Sequence, residues 1–243
     1  MNLILFESKE LDAPLPPGDS RVVHVLEILK LGPGDEFAAG VIGGPTGRAR
    51  LGDFGPEGFA WSFDADPDQT EPTELHPLVL VLGCPRPPVA RRLLKDMSAM
   101  GLQEIRACRT DLNEGSYVTS RLWRDGLWRR ALIDGAMQGV STRLPAVRTD
   151  RSLESALGGL PAGRGILRIA LDTGPGTVPM ENSPLAGDRI VLAVGPERGW
   201  SDRERRILDD HGFRRERLGR RVLRTETACA VGAGILLHRI GAI

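Results

Sequence analysis

Three short glycine-bearing segments hold most of the residues with which this chain could grip a small ligand. They are Asp172-Thr173-Gly174-Pro175-Gly176, Gly195-Pro196-Glu197-Arg198-Gly199-Trp200, and Leu218-Gly219-Arg220-Arg221-Val222-Leu223-Arg224-Thr225-Glu226-Thr227. Each follows a candidate strand, and open α/β sheets bind ligands outside the carboxyl ends of their strands. Glycine lets the backbone approach a ligand closely and offer it N–H and C=O groups. Val194, Leu218, Val222 and Leu223 supply apolar walls. Arg224 and Glu226 are the polar groups able to steady an anion or handle a proton. The structural alternative for Arg224 is a salt bridge to Glu226 or Glu197 that only shapes the loop. One Gly-Pro-x-x-Gly is usually a plain turn, so the order and spacing of the three segments carry the signal.

The elements that must position these loops read as alternating strands and helices. Pro77–Gly83 (PLVLVLG) is a continuous apolar run, as in a strand buried on both faces. Ile166–Leu171 and Ile190–Val194 read as further strands. Val89–Met100 is a helix with Arg91, Arg92 and Lys95 on its polar side, and Arg121–Gln138 reads as a second helix. Ser201–His211 is a charged helix with Ser201 as cap, Glu204 at the capping-box position and Gly212 as stop. Thr227–Arg239, rich in small apolar residues, reads as a final buried helix. Strands alternating with helices predict an α/β fold with a parallel sheet. The N-terminal part differs: Leu3–Phe6, Glu36–Ile42 and Arg48–Leu51 read as short strands separated by Gly-Pro turns, and His24–Leu31 as a short amphipathic segment. Together they suggest a small β-barrel. The acidic, proline-punctuated stretch Asp64–Pro77 is a candidate linker, which puts the domains at 1–72 and 73–243.

Composition narrows the function classes. Hydrophobic residues make up 41% of 243, enough for a real core. No apolar run reaches the roughly 18 residues of a membrane span, and the N-terminus lacks a secretory cleavage site, so a cytoplasmic protein is expected. Cys84, Cys108 and Cys229 are far apart and the four histidines are scattered, which argues against disulfides and metal sites. The net charge is zero, but residues 1–75 hold 5 Lys and Arg against 14 Asp and Glu, and residues 76–243 hold 27 against 18. A net of −9 beside a net of +9 suggests that the C-terminal part faces a polyanion. A Rossmann dehydrogenase is excluded for want of a Gly-x-Gly-x-x-Gly after an early strand.

Order and spacing together resemble one family. Gly195-Pro196-Glu197-Arg198-Gly199-Trp200-Ser201-Asp202-Arg203-Glu204 is similar to its signature Gly-Pro-Glu-Gly-Gly-(Phe/Leu)-Ser-x-x-Glu. Gly212-Phe213 and then Leu218 through Ala228 match its Leu-Gly-x-x-(Ile/Val)-Leu-Arg-Thr-Glu-Thr-Ala. His24 through Asp35 resembles its His-Leu-x-x-Val-Leu-Arg-Leu-x-x-Gly-Asp. Lys95 to Gly101, Gln138 and Leu144-Pro145 repeat weaker family features. The chain is thus similar, over nearly its whole length, to the ribosomal RNA small subunit methyltransferase E family, the uridine-N3 methyltransferases of the SPOUT superfamily.

The resemblance implies a PUA-like N-terminal barrel, a C-terminal parallel sheet with a deep trefoil knot, and a homodimer. It implies methylation of N3 of a uridine in 16S ribosomal RNA, within the assembled small subunit, from S-adenosylmethionine held among the three loops. Carried over residue by residue, the cofactor site takes Leu171 and Asp172 from the first loop. From the second it takes Val194, Gly195, Pro196, Glu197 and Gly199. From the third it takes Leu218, Gly219, Val222, Leu223, Thr225 and Ala228. Arg224 and Glu226 are the catalytic candidates, because uridine N3 must lose a proton. RNA is expected on Arg91, Arg92, Lys95, Arg129, Arg130, Gln138 and Arg220, with pairing to Asp96, Asp125 and Asp134 as the structural alternative for the helix arginines. The dimer is expected to pack through Thr227–Arg239, where Ala228, Ala230, Gly232, Ala233 and Gly234 permit close approach.

The cofactor loops are better kept than the RNA-facing elements, but a departure falls in each. Arg198 stands where the family has a glycine, Ala99-Met100-Gly101 where it has Glu-Leu-Gly, and Ser141 where it has an arginine. The N-terminal part is acidic. Two other readings therefore stand beside the first: the same chemistry on a different RNA, or a non-catalytic RNA-binding or ribosome-assembly protein.

Overall fold

The computed structural model describes residues 3–11, 13–69, 71–161, 163, 165–180 and 187–243. Met1 and Asn2, at the expected uncleaved N-terminus, and Thr70, in the candidate linker, lie outside them. The chain divides into two compact units, Met1–Glu74 with Ile133–Leu144, and Leu75–Leu132 with Pro145–Ile243.

The first unit is built on a four-stranded sheet. Its strands are β1 (Ile4–Phe6), β2 (Glu36–Val41), β3 (Thr46–Gly55) and β4 (Gly58–Ala65), in that spatial order. β1 and β2 are parallel and the other pairs antiparallel. A 3-10 turn (Ser8–Glu10), α1 (Ser20–Val23) and a π-helical turn (His24–Ile28) lie between β1 and β2. Two of these strands differ from expectation. β3 is longer than Arg48–Leu51, and β4 runs into the start of the candidate linker, because its alternation buries Phe59 and half-buries Trp61 and Phe63. The core gathers Ile4, Phe6, Val22, Val25, Phe37, Leu51 and Phe59, with Trp61 stacked on Phe6 at 4.0 Å between ring centroids.

The second unit holds a seven-stranded sheet in which every pairing is parallel. Its strands are β5 (His76–Gly83), β6 (Leu102–Cys108), β7 (Ala146–Asp150), β8 (Ile166–Leu171), β9 (Val178–Pro179), β10 (Arg189–Val194) and β11 (Arg214–Arg217), in the order β7-β6-β5-β10-β8-β11-β9. The α/β expectation holds. β5, β10 and the end of β8 are buried almost throughout, as continuous apolar runs require.

Helices complete the unit: α2 (Pro87–Ala99), α3 (Gly115–Val118), α4 (Arg121–Arg124), α5 (Trp128–Gln138), α6 (Leu153–Leu157), α7 (Asp202–Asp210) and α8 (Thr225–Arg239). The last six residues of α5, Ile133–Gln138, belong to the first unit. The single helix expected over Arg121–Gln138 is two, because Gly126 turns the chain at φ +70°, a conformation that ends α4. α7 has the capping box read from sequence: Ser201 Oγ accepts from Glu204 N–H, and the Glu204 carboxylate accepts from Ser201 N–H. α6 and α7 bury Leu153, Leu157 and Leu208 with Val79, Val191, Ala193 and Trp200 of the sheet and its loops. α8 packs against α2, β5 and β10. It presses so close to the sheet that a Cβ on Gly232 would come within 2.9 Å of Leu171 Cδ1.

Candidate functional site

β10, β8 and β11 are neighbours in the sheet and parallel, so the loops that leave their carboxyl ends emerge side by side. Those loops are the three segments singled out above. The space among them is a cleft of about 560 Å³, within the range of small-molecule sites.

Every cofactor candidate lines this cleft. Leu171 and Asp172 stand at the end of β8; Val194, Gly195, Pro196, Glu197 and Gly199 come from the second loop. Leu218, Gly219, Val222 and Leu223 come from the third loop, and Thr225 and Ala228 from the first turn of α8. Arg224 and Glu226 line it too. Of the RNA candidates, Arg92 lines the cleft. Arg91, Lys95, Arg129, Arg130 and Arg220 lie outside its lining, as does Gln138, which belongs to the first unit.

The loops are braced against one another. Trp200, buried in the second loop, donates its indole N–H to the Leu171 carbonyl at 3.0 Å. Thr225 Oγ1 approaches the Gly195 carbonyl at 3.5 Å. From β11, Arg215 donates to the Pro175 carbonyl at 2.8 Å and Arg217 to the Thr177 carbonyl at 2.7 Å. Gly83, at the end of β5, lies under the second loop: a Cβ there would meet Pro196 Cδ at 2.5 Å and Pro196 N at 2.8 Å.

Asp172 anchors the first loop. Its side chain is 2% exposed and accepts from Arg205 Nε at 2.8 Å, Arg215 Nη1 at 3.3 Å, and the N–H groups of Thr173 and Gly174 at 2.8 and 3.0 Å. Burial pushes its carboxyl upward, but the Arg205 hydrogen bonds, the Gly174 N–H and the Arg205 charge outweigh that, and the group titrates below the usual carboxylate range. Sequence reading placed Asp172 in the site but missed Arg205 and Arg215. Arg205 lies on α7 and Arg215 on β11, so only the fold brings them to the same carboxylate.

The structural alternative for Arg224 is not what the structure holds. Glu226 meets Arg92 Nη2 at 3.5 Å, and Glu197 accepts from the Arg86 N–H at 3.1 Å and faces Arg86 Nε at 3.6 Å. Arg224 is exposed at the N-cap of α8, with its side chain making no cap hydrogen bond. Asp125, offered as a partner for the helix arginines, bonds to Arg121 and Arg124. Sequence reading also missed Arg86, Val89, Glu216 and Arg217 as lining residues.

The glycines leave the cleft floor open. A Cβ on Gly199 or Gly219 would meet nothing within 4 Å, and both have positive φ, +70° and +155°. Their backbone faces open space, as close approach to a ligand requires. Among the described residues no group of three His, Cys, Asp or Glu could hold a metal ion, and no helix is long and apolar enough to cross a membrane.

Comparison with known proteins agrees with this architecture. Residues 71–237 match the family model described as the RNA methyltransferase domain. The chain is 36% identical, over 98% of its length and 91% of the relative's, to a ribosomal RNA small subunit methyltransferase E from Treponema pallidum. It is 28% identical, over 97% of both chains, to a ribosomal RNA small subunit methyltransferase E 1 from Borreliella burgdorferi. The fold superimposes, at 19% identity and a TM-score of 0.77, on a Neisseria gonorrhoeae ribosomal RNA small subunit methyltransferase E bound to S-adenosyl methionine, covering 98% and 97% of the two chains. A probable rRNA-methyltransferase from Porphyromonas gingivalis, 18% identical, superimposes at a TM-score of 0.79 over 99% of both.

Proposed function

Because this chain belongs to the ribosomal RNA small subunit methyltransferase E family, we propose that its cleft binds S-adenosylmethionine and methylates N3 of a uridine in 16S ribosomal RNA. The observation that carries the reading is the convergence of all three glycine-bearing loops on one cleft. Its volume suits such a cofactor, and the open backbone at Gly199 and Gly219 can come close to an adenosine or amino-acid moiety.

S-adenosylmethionine, when bound, supplies an electrophilic methyl: the S–CH3 bond breaks, an N3–CH3 bond forms and the N3 proton leaves. The residues of the chain create the setting. Leu171 and Val194 line the cleft and are buried, so they exclude water from its floor, where a dispersing positive charge is favoured over a concentrated one. Arg224, exposed over the cleft, stabilises the uracil anion left when N3 is deprotonated. Glu226, which lines the cleft and whose carboxylate meets Arg92, accepts the proton in this reading. The basic second unit receives the RNA through Arg91, Arg92, Lys95, Arg129, Arg130 and Arg220, with Gln138 a further contact from the first unit.

The remaining expectations follow from the same membership. The strand order β5-β10-β8-β11 supports a knotted crossing among the three loops, and the separate four-stranded sheet supports a PUA-like barrel over residues 1–72. Gly232 and Ala233 of α8 pack the chain's own core, so a homodimer through this helix rests on the part-exposed Ala228, Ala230 and Gly234 and on the family membership. A cytoplasmic protein acting on the assembled small subunit fits these features. A second reading, the same chemistry on a different RNA position, is favoured by one observation. The three arginines of residues 1–74 are all taken up internally: Arg21 by Glu10 and Asp19, Arg48 and Arg50 by Glu36. Beyond these, the unit offers phosphate only Lys9, Lys30 and Arg143 as cationic side chains.

Mass-spectrometric mapping of methyluridine in ribosomal RNA, from cells with and without this gene, tests the function. Loss of one 3-methyluridine in 16S RNA is the expected result. An unchanged map, with no S-adenosylmethionine binding by calorimetry, overturns it.

A further inference from the structure

The cleft holds more positive charge than its carboxylates neutralise. Seven arginines and four carboxylates line it, a surplus of three. Arg205 is held by Asp172, Arg86 by Glu197 and Arg92 by Glu226. Arg217 is spent on the Thr177 carbonyl, and Glu216 is paired by Arg214 from outside the lining. Arg198, Arg221 and Arg224 remain: exposed, and without an ion pair or side-chain hydrogen bond among the described residues.

The charge of the cofactor decides what such a surplus can serve. At neutral pH S-adenosylmethionine has a sulfonium and an ammonium against one carboxylate, so it is a net cation. The demethylated product is electroneutral. Three exposed guanidiniums with no carboxylate partner repel the cofactor and favour the product, so they do not stand there for the cofactor as a whole. The anion that fits is one beside it, and guanidinium forks match phosphate oxygens. Arg224 is already placed on the uracil. Arg198 and Arg221 come from the second and third loops, which border the cleft from different strands.

We propose that Arg198 and Arg221 form a phosphate subsite at the mouth of the cleft, which holds the RNA backbone beside the target nucleotide and couples RNA binding to cofactor binding. The inference rests on the methyltransferase reading given above. RNA in this subsite cancels the surplus that repels the sulfonium, so RNA raises cofactor affinity. By linkage the cofactor raises RNA affinity by the same factor. Arg198, where the resembled family has glycine, makes the coupling a property of this chain. The cofactor's own carboxylate is the other anion that could meet these arginines, and it predicts a different pattern.

The experiment is calorimetry on the full-length protein with S-adenosylmethionine and with S-adenosylhomocysteine, with and without a single-stranded uridine-containing RNA, across a salt series. It is repeated for Arg198→Gly, Arg221→Gln and the double variant. The wild type is expected to bind the neutral product more tightly than the cationic cofactor, and RNA to narrow that gap several-fold. In the double variant the gap is narrower without RNA and RNA changes it little. Its salt slope for RNA falls by about 0.7 per arginine removed. Four results overturn the proposal. One is an unmoved salt slope with the coupling intact. Another is equal weakening of both cofactor forms with the slope unmoved, which assigns these arginines to the cofactor carboxylate. The third is a wild type that binds neither cofactor form, which removes the methyltransferase reading as well. A wild type that binds and methylates while the double variant keeps its slope removes the subsite alone.

Discussion

Replacing Asp172 by asparagine removes the charge that holds the first loop while changing almost no volume. The carboxylate is buried and takes four partners: Arg205, Arg215 and the N–H groups of Thr173 and Gly174. An asparagine amide oxygen can keep the two backbone hydrogen bonds, but its NH2 group faces the guanidiniums with the wrong polarity. A hydrogen bond to a charged group contributes about 1.5–3 kcal/mol. Arg205 keeps Asp202 and Arg215 keeps Asp209, both at 2.8–2.9 Å, so neither guanidinium is left without a carboxylate. The net cost is therefore about 2–3 kcal/mol, below the figure for breaking a fully isolated buried pair. For a unit of this size that lowers the melting temperature by about 5–10 °C. Cofactor affinity should fall with it, because the loop lines the cleft.

The pH dependence has a definite sign. The folded pKa of Asp172 is depressed, so its contribution is complete above the unfolded value of about 3.9 and is lost as pH falls through the lower folded value. The gap between wild type and Asp172→Asn should be widest near neutrality and close as the pH drops below about 4. Thermal melts of both proteins across that range are the assay. A variant that melts within 1 °C of wild type at pH 7, or a gap that widens on acidification, refutes the anchoring argument.

Gly83→Ala should weaken S-adenosylmethionine binding at least tenfold by calorimetry, since its Cβ meets the Pro196 backbone, which cannot swing aside as a side chain can. Trp200→Phe should cost about 1–2 kcal/mol in urea melts by leaving the Leu171 carbonyl without its indole donor. Light scattering at micromolar concentration should give a dimer mass, and a monomer mass would end the assignment of α8 to an interface. Removing Arg91 and Lys95 together should lower the salt slope of RNA binding by roughly 1.4–1.8 while leaving cofactor affinity alone; an unchanged slope takes α2 out of the RNA path.

Much of the second unit was legible because its chemistry is local. β5, β8 and β10 are apolar runs, and α7 is announced by Ser201 and Glu204 three residues apart. The three loops are contiguous segments, so their residues could be named before their positions were known. β6 and β11 were not legible, for a reason that also marks the limit of periodicity. β6 contains Glu104 and Arg106, and β11 is Arg214-Arg215-Glu216-Arg217. A charged strand enters a sheet only if something distant neutralises it. Arg106 is 4% exposed because Glu104 and the carbonyls of Ala156, Gly158 and Gly159 receive its guanidinium. Within the first unit, β4 was hidden inside a stretch that composition marked as linker.

By itself the sequence determined which residues could face a ligand: glycines that open the backbone, apolar neighbours for walls, and Arg224 and Glu226 one residue apart on either side of Thr225. Those are properties of residue type and short spacing. Only the tertiary structure decided which charges cancel. Arg205 and Arg215 went to Asp172, Arg86 to Glu197 and Arg92 to Glu226, leaving Arg198, Arg221 and Arg224 exposed on the cleft. Ion pairing acts over a few ångströms in space, between groups up to 134 residues apart in the chain, and no reading of neighbours along the sequence can count it.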